Sequence, residues 1–467
     1  MVAYNPVSET VIAELKKIVG EKYVWTSPEK MEPYSHDEVT DPKYVKMPEA
    51  VVLPANAAEI AEIIKLANRE RIPVVPRGAG TGLASAAVPF KGGIVLSLER
   101  MNKILEIDTV NMFMVVEPGV TTEAVQKAAN AAGYLYAGDP CSGDSSFIGG
   151  NVATNAGGNK AVKYGTTRRQ IYGLEIVTPE GEIVTLGGKC MKDSTGYSLV
   201  NLIIGSEGTL GVITKIYLKL MPLPKEQIDL LAVFPDLATA IGVVPKIMAA
   251  GITPTCVEFM DNETIKCCEE FLREKQPHSD NGYYIIIKLE GENEEQLEEQ
   301  AATIDELCTE NGAMAVLVAD PAKIWKARKA FAEADRARSL VFSMEDIVVP
   351  MSEIPKAVEQ IAAIGRKHGV TMHCAGHAAD GNIHVNILKD KMSDDDWDRI
   401  LPLVQEELYT LVYNLGGKLS GEHGIGYKRV KLLEKFANPV ELKMMKAIKQ
   451  ALDPNLILNP GKVIDIS

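Results

Sequence analysis

Nowhere in this 467-residue chain do 18 apolar residues follow one another, so the sequence contains no candidate membrane-spanning helix. The opening Met1-Val-Ala-Tyr-Asn-Pro6 lacks a basic stretch followed by an apolar run, and the expected location is the cytoplasm. Cysteine is sparse and scattered, at positions 141, 190, 256, 267, 268, 308 and 374, with no Cys-x-x-Cys. That spacing signals neither an iron–sulfur cluster nor a disulfide framework. Positive charge is also in deficit, 49 basic against 63 acidic residues for a net −14, which argues against nucleic acid as a partner. Internal repeats and low-complexity tracts are absent. What remains is enough chain for two or three domains built around small or protein partners.

The most informative stretch is Thr371-Met-His-Cys-Ala-Gly-His-Ala-Ala-Asp-Gly-Asn-Ile-His-Val-Asn-Ile387. Asp380-Gly381 predicts a two-residue hairpin turn, and Ile383, Val385 and Ile387 alternate as in a strand. With that turn His377 faces His384, at a Cβ separation of roughly 4.5–5.5 Å that lets both imidazoles reach one ion. A third ligand candidate, Glu422, lies in Gly421-Glu422-His423-Gly424-Ile425-Gly426, where glycines let backbone come close to a site. Two histidines and a glutamate make an open three-ligand site for a divalent metal, Zn or Fe. The same residues also read as ordinary hydrogen-bonded hairpin and loop positions. His373, four residues before His377, shares its face as a supporting or a merely satisfied histidine.

Along the chain, residues 8–20 have helical spacing, and Asn56-Ala-Ala-Glu59 is a capping box before the stripe Ile60, Ile63, Ile64 and Ala67. A short strand at 72–75 leads into Pro76-Arg77-Gly78-Ala79-Gly80-Thr81-Gly82-Leu83, whose glycines suit either a plain turn or an anion cradle. Leu83 breaks the nicotinamide G-x-G-x-x-G fingerprint. Two more loops are rich in glycine, hydroxyls and amides. The first runs from Pro140 through Ser142, Ser146, Gly149, Gly150, Asn151, Thr154, Asn155 and Gly157 to Gly158; the second is Gly205-Ser206-Glu207-Gly208-Thr209-Leu210-Gly211-Val-Ile213. A strand alternating Ile216, Leu218 and Leu220 follows, and Pro222 and Pro224 mark a boundary. The run from Glu290 to Glu299 reads as the solvated start of a helix.

With these three loops in order, the chain resembles the flavin-dependent 2-hydroxy-acid dehydrogenases of the vanillyl-alcohol oxidase superfamily over nearly its whole length, the group of D-lactate dehydrogenases and the glycolate oxidase flavin subunit. The resemblance implies an α+β fold: a PCMH-type FAD-binding domain over 1–221, a cap domain with an antiparallel sheet and the metal hairpin over 222–415, and a segment 416–467 returning to the flavin. It implies that Arg77–Leu83 holds the FAD pyrophosphate and that the other two loops, with Asn459 of Asn459-Pro-Gly-Lys462, line the rest. No histidine stands in the Arg77 loop to tether flavin, and Cys141 is read as a small loop residue, so the FAD is expected to be non-covalent. Trp325-Lys-Ala-Arg328 resembles the family's Trp-x-x-Arg, implying that Arg328 grips the substrate carboxylate.

By the same resemblance His377, His384 and Glu422 are metal ligands and His423 is the catalytic base. The implied reaction is oxidation of a small 2-hydroxy acid, D-lactate first, with glycolate, 2-hydroxyglutarate or a sugar acid as alternatives. Met344 and Glu345 stand where some diacid-specific relatives carry a lysine, which favours a single carboxylate. A non-catalytic flavin electron carrier is the reading from another class. Without a cluster motif, nicotinamide fingerprint or membrane span, the electrons need an external outlet, with oxygen and a peripheral quinone as alternatives to a protein partner. Similar chains pair with a two-subunit electron transfer flavoprotein, some in electron-bifurcating complexes.

Overall fold

The computed structural model describes residues 3–318 and 320–466. It divides into two compact units, one of Met1–Gly157, Thr166–Leu223 and Glu422–Ser467, the other of Gly158–Gly165 and Pro224–Gly421. The break at Leu223 and Pro224 falls among the prolines that the sequence offers as a boundary. Residues 416–421 group with the second unit.

In the first unit, the helix Glu9–Val19 starts where Ser8 Oγ accepts from Val11 N, and it buries Val11, Leu15 and Val19. The helix Ala57–Glu70 has a reciprocal cap: Asn56 Oδ1 accepts from Glu59 N, and Glu59 Oε2 accepts from Ala55 N. Its end displaces the strand expected at 72–75. Arg71 turns left-handed (φ 53°) and Ile72 N donates back to Ala67 O, so pairing starts only at Val74–Arg77. That strand is the edge of a four-stranded sheet in the order Val24–Trp25, Ala50–Val52, Ile94–Ser97, Val74–Arg77. The glycine-rich loop therefore leaves the end of a strand buried beneath a helix.

A five-stranded antiparallel sheet follows, with Val212–Lys219 at its centre. Ile216 and Leu218 point inward between the half-buried Lys215, Tyr217 and Lys219, as the alternation predicts. Pro222 does not simply end this strand, since Met221–Pro222 pairs with Tyr134–Leu135.

The second unit is built on a seven-stranded antiparallel sheet in the order Ala315–Val318, Glu226–Phe234, Tyr283–Gly291, Cys256–Met260, Thr371–His377, Asn382–Leu388, Phe342–Val348. One face is divided in character. Leu231, Val233, Met260, Tyr284 and Ile286 pack with Ile324 and Phe331 of the helices Pro321–Lys329 and Phe331–Arg338. The neighbouring strands present Glu258, His373, His377, Asn382, His384, Asn386 and Asp346, all buried. The acidic run also splits. Glu290 ends a strand and binds Lys160 at 2.8 Å, and the helix Glu294–Glu310 begins only after Asn293 caps it. Among the described residues no helix is long and apolar enough to cross a membrane.

The hairpin differs in register from the two-residue turn expected at Asp380-Gly381. His377 faces Asn382 and Ala375 faces His384, so the turn is the four residues 378–381. Both Asp380 N and Gly381 N donate to His377 O, and Asp380 Oδ1 accepts from Asn382 N, a closure that the longer turn allows. Gly381 sits at φ 88°, and a Cβ there would collide with Val349 O. The register moves by two residues, which preserves the face, because side chains repeat with period two.

Candidate active site

In the first unit a cavity is lined by all of Pro76–Leu83, by Pro140, Cys141, Ser142, Gly149, Gly150, Asn151, Thr154 and Gly157, and by Glu207, Gly208 and Ile213. Glu422 and His423 complete the wall. The three sequence-distant loops thus converge. Gly78 and Gly150 approach backbone to backbone: a Cβ on Gly78 would sit 3.6 Å from Gly150 Cα, while one on Gly150 would meet nothing within 4 Å. A wall in which glycines recur and backbone comes close suits an extended phosphate-bearing cofactor such as FAD.

Not every expected residue touches that space. Arg77 lines it, but its guanidinium donates to Pro33 O and His36 O and lies over the Tyr34 ring, so it anchors the loop from behind. Ser146 Oγ pairs with Thr122 Oγ1. Asn155, left-handed at φ 53°, accepts from Arg168 N and Thr166 Oγ1 at a helix end. Asn459 Nδ2 donates to Glu207 O and Ala86 O. These three brace the loops. Gly158 belongs to the second unit.

Burial sets the charges of this unit. Burial pushes the Asp37 carboxyl up to about 6 although it accepts from Val39 N and Ser85 N. Glu207 is pushed up to about 7 by burial, against the N–H groups of Ile425 and Gly426 that favour its charged form. His423 Nε2 lies 3.8 Å from Glu422 Oε1, and a Cβ on Gly157 would overlap Glu422 Oε2.

In the second unit the hairpin histidines meet. Their Nε2 atoms are 3.4 Å apart, with the rings at 84°. Two imidazoles at 2.0–2.1 Å from one tetrahedral ion have nitrogens roughly 3.3 Å apart, so the pair fits a divalent metal such as Zn²⁺. His377 Nδ1 is held 2.6 Å from Glu258 Oε1, and His384 Nδ1 is 3.8 Å from Asp346 Oδ1. Carboxylates behind the rings are the usual support for metal-binding histidines. Arg328 is 4% exposed instead of sitting at the surface, and its Nε and Nη2 reach Glu258 Oε2 at 2.9 and 2.8 Å. Burial pushes the Glu258 carboxyl up, but His377 and Arg328 outweigh it and hold the group below the usual carboxylate range.

His373 is a satisfied histidine. Its Nδ1 lies 2.6 Å from Asp335 Oδ1, whose other oxygen accepts from Asn386 Nδ2 at 2.6 Å. Burial works to lower its pKa, yet Asp335 and its neighbours raise it to about 10. Glu258, Asp335 and Asp346 were not read from sequence as site residues. Their signal was an acidic residue inside an otherwise apolar strand or helix face, as in Cys256-Val-Glu-Phe-Met260.

A family model described as FAD binding domain matches residues 48–187, and another described as FAD linked oxidases, C-terminal domain, matches 223–463. The chain is 38% identical to a D-lactate dehydrogenase of Anaerostipes hadrus, with 98% of each chain covered. It is 37% identical to the glycolate oxidase subunit GlcD of Bacillus subtilis, covering 92% of this chain and 91% of that one. A D-lactate dehydrogenase of Archaeoglobus fulgidus is 35% identical, with 89% and 91% covered. Among solved structures, p-cresol methylhydroxylase superposes with a TM-score of 0.83 over 99% of each chain at 20% identity. A 4-ethylphenol oxidase of Gulosibacter chungangensis gives 0.77 at 19%, covering 97% of this chain and 96% of that one. Those neighbours establish the fold, a PCMH-type FAD-binding domain with an α+β domain after it. The full-length relatives and both family models show that this chain belongs to the FAD-linked oxidases.

Proposed function

We propose that the chain is an FAD-dependent dehydrogenase of a small 2-hydroxy acid, with D-lactate to pyruvate as the first choice. The observation that carries this reading is the buried series Arg328, Glu258, His377, His384, joined by contacts of 2.6–3.4 Å. It combines a carboxylate receptor with a pair of metal-binding nitrogens. Glu258 fixes the plane of the guanidinium, so that Arg328 meets the acid's carboxylate already oriented. His377, held by Glu258 through Nδ1, keeps Nε2 directed at His384. These two nitrogens would hold a divalent ion, with Glu422 the third ligand that the resemblance adds. Such an ion, when bound, supplies Lewis-acid polarisation of the hydroxyl oxygen.

His423, on the cavity wall, takes the hydroxyl proton as general base. FAD, when bound in the glycine-lined cavity, supplies the hydride acceptor. The relatives named D-lactate dehydrogenase and glycolate oxidase subunit support a 2-hydroxy acid as the substrate class. The test is anaerobic titration of purified protein with a panel of D- and L-2-hydroxy acids, following flavin absorbance alongside metal analysis. Bleaching by D-lactate at the lowest concentration of the panel is expected. Preferential bleaching by a diacid or sugar acid would replace the substrate, and no bleaching by any acid would favour a non-catalytic flavin carrier.

A further inference from the structure

The segment carrying Glu422 and His423 has no helix or strand of its own before Val430, so something else must fix it. Its backbone is tied at several points: Gly426 O accepts from Val463 N and Gly424 O from Arg429 Nη1. Tyr427 N and Lys428 N both donate to Ala84 O. One step earlier, Ile425 N and Gly426 N each donate to the Glu207 carboxylate at 2.7 Å, one to each oxygen. The fit is close, since a Cβ on Gly424, at φ 81°, would sit 2.6 Å from Glu207 Oε1.

Glu207 is itself held. It adopts a left-handed φ of 52°, its N donates to Ala153 O at 2.7 Å, and its O accepts from Asn459 Nδ2 at 2.7 Å. Ala153 and Gly208, on either side of this junction, line the cavity. A carboxylate on a residue only 5% exposed that spends both oxygens on two consecutive backbone N–H groups is costly to desolvate unless those bonds persist.

We propose that Glu207 is the positioning residue for the proton-accepting loop, holding His423 against the cofactor cavity through the backbone two and three residues beyond it. The role goes beyond lining the cavity, and it rests on the reading of His423 as base. The carboxylate acts as a two-pronged acceptor that stands in for the secondary structure the loop lacks. A misplacement of the imidazole on the order of 1 Å can cost about 100-fold in rate, so the clamp has catalytic leverage without touching substrate.

Glu207→Gln tests it, because the amide keeps the shape but opposes its NH₂ to one of the two N–H groups. Residue-resolved hydrogen exchange on the FAD-loaded protein should show Ile425 and Gly426 exchanging about tenfold faster or more, with Tyr427 and Lys428, bonded to Ala84, unchanged. In turnover with D-lactate and an artificial dye, kcat should fall about tenfold or more while KM stays within about threefold and bound flavin per chain is unaltered. Gly424→Ala, which pushes on the same carboxylate from the loop side, should reproduce the exchange pattern. The double variant should lose no more than the more affected single. Unchanged protection at Ile425 and Gly426 overturns the proposal, as does lost protection with full kcat. Loss of protection that extends to Tyr427 and Lys428 with flavin release overturns it too, because Glu207 is then only a structural residue. If His423→Asn reduces flavin at the normal rate, the reading of the base fails instead, and the exchange data still decide what holds the loop.

Discussion

The Nε2 atoms of His377 and His384 stand 3.4 Å apart although the two residues are not opposite one another in the hairpin. They are diagonal neighbours on one face of the hairpin, with their ring planes at 84° to each other. If that pair holds a metal, His384→Ala should purify with less than about a tenth of the wild-type metal, since one of two closely spaced nitrogens is gone. Metal analysis and the D-lactate concentration for half-maximal flavin reduction check this. Full metal content in the variant would leave the histidines as a plain hydrogen-bonded pair.

Arg328→Lys should retain flavin and weaken D-lactate binding about tenfold or more. An ammonium cannot take two contacts from Glu258 and still present a planar fork to a second carboxylate. The readout is the apparent Kd from anaerobic flavin titration. An unchanged Kd would move the carboxylate receptor elsewhere in the protein.

His423→Asn should leave flavin bound and slow its reduction by about 10²–10⁴, the range for losing a general base. Stopped-flow absorbance at saturating D-lactate measures it.

The fold was legible in the sequence wherever local chemistry decides the outcome. Asn56 and Glu59 cap a helix in the manner their spacing predicts, and Ile216 and Leu218 point inward as their alternation requires. The glycine loops at 76–83 and 205–213 share one cavity, but only the family resemblance, and no local pattern, could bring them together. Register was harder. Asp380-Gly381 has the composition of a two-residue turn, yet the turn that forms has four residues, closed by Asp380 N and Gly381 N on His377 O. Gly381 is also required because a Cβ there would collide with Val349 O, 32 residues earlier in the chain. The buried acids were hidden for the same reason. Glu258 and Asp346 take their meaning from cross-strand partners, His377 and His384, that periodicity alone cannot assign.

The His373–Asp335 pair predicts a pH dependence of stability. The folded protein holds the imidazole's proton up to about pH 10, while an unfolded histidine releases it near 6.5. Between those values the folded state binds one proton more than the unfolded state, so unfolding free energy falls with rising pH, by at most about 1.4 kcal/mol per unit from this group. The contribution is complete below about pH 6.5 and lost as pH rises through about 10. His373→Asn leaves Asp335 buried without its charged partner and should cost roughly 3–5 kcal/mol near neutrality. Denaturant titrations at a series of pH values should show the gap to wild type narrowing toward pH 10. A constant gap would mean that His373 is neutral in the folded protein.

The destination of the electrons is the remaining expectation. A flavin reduced by two electrons needs an acceptor. The seven cysteines show no Cys-x-x-Cys spacing, and all those outside the glycine-rich unit except Cys267 are buried. The loop Pro76–Leu83 lacks the third glycine of a nicotinamide fingerprint, and among the described residues no helix is suited to cross a membrane toward quinone. We propose, on the family resemblance alone, that the acceptor is an electron transfer flavoprotein supplied in trans, with oxygen and a peripherally met quinone as the rival acceptors. Isolated protein given D-lactate should reduce an artificial dye rapidly but neither NAD⁺ nor oxygen at a useful rate. Adding purified electron transfer flavoprotein should restore turnover, and that turnover should fall with ionic strength if the docking is electrostatic. Fast peroxide formation, or direct NAD⁺ reduction by this chain alone, would show that the flavin needs no protein partner.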